Sequence, residues 1–172
     1  MTDIVAHIGI AEIRSPKIRQ LHAYWDRLRR GAVGPRRADI APEDLSKLLP
    51  NLLIVDVERR PPAVGTAGET LRFRYRLVGT TVVQYNGMEF TGKYLGEIGW
   101  PEEAGLIRSY TEIATTGQPA FGIIAWDMRE GSLGRSEYGC LPLSEDGVTV
   151  SQVIALEDYE FTAMAGARKP EE

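Results

Sequence analysis

Residues 73–95, FRYRLVGTTVVQYNGMEFTGKYL, decide the fold of this chain. Apolar and basic side chains alternate at its start. The apolar members are Phe73, Tyr75 and Leu77, and the basic members are Arg72, Arg74 and Arg76. A period of two is typical of a strand, and it predicts that the arginines face solvent while the apolar side chains line the interior. At Gly79 the period changes, and TTVVQYN (80–86) predicts a short helix that is capped by Thr80 and ends at Gly87.

The residues before this stretch predict two helices and a strand. Ser15 and Pro16 are typical of a helix start, and an amphipathic helix follows up to Gly31. Its apolar stripe consists of Ile18, Leu21, Trp25 and Leu28. A second, shorter helix is predicted over 42–49, because two acidic residues lie in its first turn. LLIVDV at 52–57 predicts a strand that is buried on both faces for part of its length.

The residues after this stretch predict a helical segment followed by three strands. A short helix or turn is predicted around 94–98, and a long helix is predicted over 101–116. The strands are predicted over 120–129, 135–144 and 148–157, joined by connections that contain glycine. The order is therefore two helices, two strands, a cluster of helices and three antiparallel strands.

Length and composition fit one compact domain of 172 residues, of which 43% are hydrophobic and 26% are charged. No apolar run approaches the roughly 20 residues that span a bilayer. The first residues lack the features of an export signal, so we expect a cytoplasmic protein. The single cysteine, Cys140, excludes an internal disulfide and a metal site made of several cysteines.

The two histidines, His7 and His22, both lie in the first 22 residues. Most arrangements of a nucleophile and its base use histidine, and neither residue has an obvious nucleophile near it in the sequence. Surface or packing roles are therefore predicted for both, which argues against a hydrolase.

Two features of the sequence resemble the PAS domain family. The stretch 73–95 resembles the strand, short-helix and G-x-x-x-x-G-x-x-L passage of PAS domains, with Gly87, Gly92 and Leu95 in the matching places. Three further segments resemble a group of small bacterial proteins in which a PAS domain with a helical lead makes up nearly the whole chain. They are YWDRLRRG (24–31), RADIAPEDLSKLLPNLLIVDV (37–57) and LPLSEDG (141–147).

The resemblance covers about residues 20–160 and implies an α+β fold. A five-stranded antiparallel sheet in the order 2-1-5-4-3 is expected, with helices on one face. The implied division is an N-terminal helical extension over 1–50, a PAS core domain over 51–158 and a C-terminal tail over 159–172.

A fold of this kind places a ligand between the helices and the sheet. The side chains that are best placed by strand and helix parity are Tyr75, Tyr85, Tyr110, Trp126, Tyr138 and Gln152. Buried tyrosines normally find a hydrogen-bond partner, so converging phenols could hold a polar or aromatic ligand. They could equally fill the core, and Trp126 could instead lie at the edge of a dimer interface.

The cofactor remains unknown, although two PAS cofactors are disfavoured. A haem that is held by a helical histidine is disfavoured because no histidine follows His22. A cysteinyl flavin is disfavoured because that class uses a cysteine on a helix, whereas Cys140 lies in a predicted strand. A noncovalent flavin, a carboxylic acid and an aromatic metabolite remain possible ligands.

The resemblance implies a stand-alone sensory or adaptor protein that binds a small ligand, a signalling partner or both. It would act through dimerisation and protein contacts, without a membrane, and enzymatic activity and nucleic-acid binding are not expected. The predicted contact element is the first helix, through Leu21, Trp25 and Leu28.

Two other functions stay open at this point. One is a small α+β cone enzyme that polarises a carbonyl with Tyr75, Asp56 or Asp127. The other is a phosphate or nucleotide binder, because residues 13–38 carry a net charge of +7 and the rest of the chain −11.

Overall fold

A computed structural model describes residues 6–62, 68–127 and 133–159. The helices in these residues are α1 (Pro16–Arg29), α2 (Thr80–Asn86) and α3 (Glu103–Thr116). The strands are β1 (Ala6–Ile8), β2 (Leu52–Arg60), β3 (Thr70–Val78), β4 (Ala120–Asp127), β5 (Leu133–Leu143) and β6 (Gln152–Asp158). None of these helices is both long and apolar enough to cross a membrane.

The strands form one sheet in the order β1-β4-β5-β6-β2-β3, and every neighbouring pair is antiparallel. The five strands β2 to β6 therefore have the predicted order 2-1-5-4-3. β1 is an additional strand that pairs with the β4 edge. The sequence did not predict β1, because three residues are too short to show an alternating pattern.

The two faces of the sheet are covered by different helices. On the inner face, α2, α3 and the segment between them cover a core that includes Val55, Phe73 and Tyr138. On the outer face, α1 covers a second core that includes Ile54 and Leu141. The N-terminal helical extension therefore packs on the face of the sheet opposite to α2 and α3.

The start of α1 is tied to the sheet by hydrogen bonds. Ser15 caps the helix by accepting the Ile18 amide at 3.1 Å, and its hydroxyl donates to Asp158 at 2.5 Å. The Ser15 amide donates to the buried carboxylate of Glu137 at 2.8 Å. Farther along α1, the Trp25 indole donates to the Pro142 carbonyl at 2.7 Å.

Two predicted elements differ in the structure. The predicted helix over 42–49 is replaced by two short 3₁₀ turns, Pro42–Leu45 and Leu49–Asn51. The helix or turn predicted around 94–98 is a turn, closed by the Glu97 amide donating to the Tyr94 carbonyl at 3.1 Å. The last strand begins at Gln152 rather than 148, because Asp146 accepts the amides of the two residues after Gly147 and holds them in a turn.

The alternation of β3 is also interrupted. Ile54 pairs with Leu77 and Val55 pairs with Tyr75, so Arg76 is the extra residue of a β-bulge. Leu77 therefore leaves the inner face that Tyr75 occupies and is 39% exposed. The prediction that Leu77 lines the interior is wrong for this reason. The predicted cap of α2 also differs, since Gly79 and not Thr80 is the N-cap residue.

Candidate ligand-binding site

The inner face brings together a group of polar side chains in an apolar core. Tyr75 on β3, Tyr110 on α3 and Tyr138 on β5 are buried, with 3%, 5% and 5% of their surface exposed. Cys140 lies two residues after Tyr138 on the same face, and Glu157 on β6 pairs in register with Tyr138. Three of the six predicted ligand-binding residues therefore share one site.

Burial sets the protonation state of this group. It raises the pKa of Tyr75 and Tyr110 well above the ordinary value, and it also raises the pKa of Tyr138. Burial and the nearby Glu157 raise the pKa of the Cys140 thiol to about 12. Burial raises the pKa of the Glu157 carboxyl as well, although a hydrogen bond from Tyr159 opposes this. The phenols and the thiol are therefore neutral near pH 7, so they act as hydrogen-bond donors as well as acceptors.

Aromatic rings fill the space between the sheet and the helices. The segment 87–102 forms a roof over Tyr75, whose ring meets Phe90 at 4.8 Å and Trp100 at 6.3 Å between centroids. Tyr110 packs against Phe73 at 5.5 Å. Two surface grooves of about 280 and 300 Å³ share His22 as a lining residue and lie beside α1, away from these tyrosines.

Glu103 holds the roof in place. The residue is 8% exposed, and its carboxylate accepts three backbone amides, from Gly96 at 2.9 Å, Ile98 at 3.0 Å and Gly99 at 2.9 Å. The first turn of α3 thereby fixes the segment that carries Trp100.

One buried hydroxyl on the inner face has no hydrogen-bond partner among the described residues. The Oγ atom of Ser136 is buried and unpaired, two residues before Tyr138 on the same side of β5. Unpaired buried hydroxyls are uncommon and are expected where a bound molecule supplies the partner.

Two further predicted site residues lie elsewhere. Tyr85 is 53% exposed on α2, where its ring stacks on Tyr159 at 4.1 Å. Gln152 lies on the outer face, where its amide donates to Asp56 at 2.6 Å. Neither side chain joins the group around Tyr75.

Trp126 is the sixth predicted residue. Its backbone pairs with Gly134 in the sheet, but its side chain lies outside the described residues. The same holds for the side chain of Asp127.

The sequence did not predict a contribution of β1 to this site. The His7 ring lies between two hydroxyls of the inner face: its Nε2 is 3.5 Å from Ser109 Oγ and its Nδ1 is 3.5 Å from the Tyr138 hydroxyl. His7 pairs with Gly122, and Gly122 pairs with Tyr138. Because these contacts join residues that are more than 100 positions apart, no local signal in the sequence could have revealed them.

The side chains predicted to contact a partner pack mostly against the sheet of the same chain. Leu21 and Trp25 are 1% and 3% exposed because they pack on the outer face of the sheet. Leu28 is partly buried against the same core. A partner could therefore meet only the opposite side of α1.

The described residues do not form a site for either alternative function, the carbonyl-polarising enzyme or the phosphate or nucleotide binder. Tyr75 lies on the inner face while Asp56 lies on the outer face, so they do not meet at one carbonyl. Several arginines of the basic stretch are engaged: Arg29 pairs with Asp26 and Arg36 pairs with Asp39. Arg19 donates to the Ile13 carbonyl.

Comparisons with known proteins agree with this architecture. A family model described as PAS domain matches residues 13–132. No curated protein matches the chain.

Similar solved structures include three light-oxygen-voltage proteins. A domain studied with a flavin analogue is 11% identical with a TM-score of 0.46, and the match covers 72% of this chain and 84% of that one. The light state of the blue-light photoreceptor aureochrome 1 domain is 11% identical with a TM-score of 0.43, over 68% and 86% of the two chains. An RNA-binding light-oxygen-voltage receptor is 15% identical with a TM-score of 0.41, over 70% of this chain and 33% of that one.

The family assignment rests on the family model, which matches well over half of the chain, together with the strand order and the helices inserted between β3 and β4. The chain belongs to the PAS domain family.

Proposed function

We propose that this PAS domain is a sensory module that binds a small uncharged ligand on its inner face and acts through contacts with other proteins. PAS domains are typically sensory and not enzymatic, so the family membership supports the general part of the proposal. The ligand and the protein contacts are the specific parts.

The unpaired hydroxyl of Ser136 carries the proposal for a ligand. Leaving a buried hydroxyl without a partner costs about 1–3 kcal/mol, and Ser136 contributes such a group next to Tyr138 on the inner face. A ligand that supplies a hydrogen bond to it would recover that free energy.

The surrounding charge favours an uncharged ligand. Glu157 places a carboxyl within electrostatic reach of Tyr75, Tyr110 and Cys140. An anion at this place would be repelled whenever the carboxyl is ionised, and it would also lose its hydration. An uncharged aromatic metabolite therefore suits the site better than a carboxylic acid.

Access to the site would require movement of the roof. Phe90 and Trp100 pack directly on the Tyr75 ring, so a ligand would have to displace one or both. The roof contains four glycines with positive φ, which allow backbone turns that other residues disfavour: Gly87, Gly92, Gly96 and Gly99.

Mass spectrometry of the material that is released when the purified protein is denatured tests this proposal. We expect one small uncharged molecule per chain, and we expect Tyr75→Phe to lose it because the substitution removes only the hydroxyl. Tyr85→Phe is the matched control and should retain the molecule, since Tyr85 is exposed on α2. Release of no molecule, or equal loss from both variants, would contradict the proposal.

The proposed protein contacts include a homodimer and a signalling partner. They use the solvent side of α1, because its opposite side packs on the sheet. Ala23 and Arg27 are exposed there, and Arg27 also lies over the Tyr24 ring at 5.4 Å.

A further inference from the structure

The edge strand β1 is attached to the sheet in two ways. Its backbone pairs with β4 over only three residues, Ala6 with Ile123, His7 with Gly122 and Ile8 with Phe121. A strand this short gains little from its backbone ladder alone, so its side chains contribute a large share of its attachment.

The central side chain of β1 is exposed to solvent but lies against two buried residues at the rim of the inner face. The His7 imidazole is within 3.5 Å of the hydroxyls of Ser109 on α3 and Tyr138 on β5, which are 6% and 5% exposed. Gly122 lies between His7 and Tyr138 in the register, and its lack of a side chain leaves the path between the two rings open. Whichever nitrogen carries the proton, one hydroxyl donates to the ring and the other accepts from it.

These two contacts are at the outer limit of hydrogen-bond length. Both measure 3.5 Å, where a hydrogen bond is weak and is broken by a small displacement. A shift of Tyr138 or of α3 by a fraction of an ångström is therefore enough to free the ring. Neither hydroxyl has another hydrogen-bond partner in the part of the chain that the structure describes.

We infer that His7 couples the inner face to the edge of the sheet: when Ser109 or Tyr138 moves, β1 is released and the backbone groups of β4 that it covers become unpaired. His7 acts as a positioning residue for β1. The use of this coupling as a signalling route rests on the proposed function, whereas the coupling itself does not depend on a ligand.

The released edge defines a contact surface that is controlled from the interior. The β4 residues 121–123 accept one extended segment, which in this structure is residues 6–8 of the same chain. The structure therefore assigns β1 as the occupant that masks this edge.

Hydrogen exchange of the backbone amides in the full-length protein tests the coupling. We expect His7→Ala, Ser109→Ala and Tyr138→Phe each to speed exchange in residues 6–8 and 121–123 by about twofold to threefold, because hydrogen bonds of 3.5 Å are weaker than ordinary ones. The amides of β2 and β6 should keep their rates. Combining His7→Ala with Tyr138→Phe should add little to either single change, because both break the same contact.

Thr115→Ala is the matched control for Ser109→Ala. It removes a hydroxyl from the same helix, but one that donates to the backbone carbonyls of Thr111 and Glu112 and does not contact His7, so β1 should exchange at the original rate. Unchanged exchange at β1 in Ser109→Ala and Tyr138→Phe would overturn the inference, as would a uniform increase across the sheet. Either result can be read whether or not a small molecule is found on denaturation.

Discussion

At the scale of single residues, Glu103 is the clearest case of a side chain that organises its surroundings. Its two carboxylate oxygens are the acceptors for three amides of the segment 96–99, which contains two glycines with positive φ. That segment has little regular structure of its own. Its position over the inner face therefore depends on this carboxylate.

We expect Glu103→Gln to destabilise the protein by about 1–3 kcal/mol, because an amide nitrogen replaces one of the two accepting oxygens and leaves a buried N–H unpaired. Chemical denaturation measures the loss. Glu102→Gln is the control, with an expected change within about 0.5 kcal/mol, because the Glu102 side chain accepts no amide in the described residues. Equal losses in both variants would contradict the assigned role.

The face of the sheet on which a residue lies could be predicted for strands with one polar face. It could not be predicted for strands that are apolar on both faces. Tyr75 follows from the alternation with Arg72 and Arg74, and the structure buries it. Gln152 begins β6, where four consecutive residues, 153–156, are buried on alternating faces. Such a strand carries no signal that distinguishes its faces, so the placement of Gln152 could not be derived.

At the scale of elements, α1 is the part whose existence was predictable and whose partner was not. Its cap and apolar stripe gave its boundaries to within two residues, but any apolar surface could have covered the stripe. Gly139 on β5 allows the close approach, since a Cβ atom there would lie 2.8 Å from Ile18 Cγ2. The loop after α1 is equally close, because a Cβ on Gly34 would lie 2.0 Å from the Pro142 carbonyl oxygen.

We expect Leu21→Ala to lower the free energy of unfolding by about 2–5 kcal/mol, as for a leucine removed from a core, without changing the oligomeric state. Denaturation and light scattering measure the two effects. Leu49→Ala is the control with a smaller loss, because Leu49 is 39% exposed. A stable variant with altered association would instead restore Leu21 as a contact residue between proteins.

At the scale of the whole molecule, two carboxyls with shifted pKa values, the partly buried Glu157 and the exposed Asp146, give the stability a defined dependence on pH. Burial raises the pKa of Glu157 in the folded state. The contribution of Glu157 to the free energy of unfolding is therefore fully present below the ordinary glutamate pKa near 4.5. That contribution is lost as the pH rises through the raised pKa of the folded state. Asp146 acts in the opposite sense, because the amides of Thr149 and Val148 lower its pKa and its contribution is lost only in strong acid.

We therefore expect the stability of the original protein relative to Glu157→Gln to fall as pH rises from 4 to 7. Denaturation curves of the two proteins at several pH values measure the difference, in which groups common to both cancel. A difference that stays constant or grows with pH would contradict the raised pKa.

The order of the five main strands was predictable as a whole because the resemblance to the PAS domain family implies it, and the short connections between the last three strands agree with that order. The packing of the interior was not predictable, since ring contacts such as that of Tyr75 with Trp100 depend on how the 16-residue segment 87–102 folds over the sheet.

Both edges of the five-stranded sheet that β2 to β6 form are shielded along part of their length. The backbone of residues 92–95 hydrogen-bonds to β3 at Phe73 and Tyr75, and β1 shields β4. Exposed strand edges are templates on which other chains aggregate. Proteolysis or truncation that removes the first nine residues would strip one of these shields, so the storage life of the purified protein should depend on an intact N-terminus.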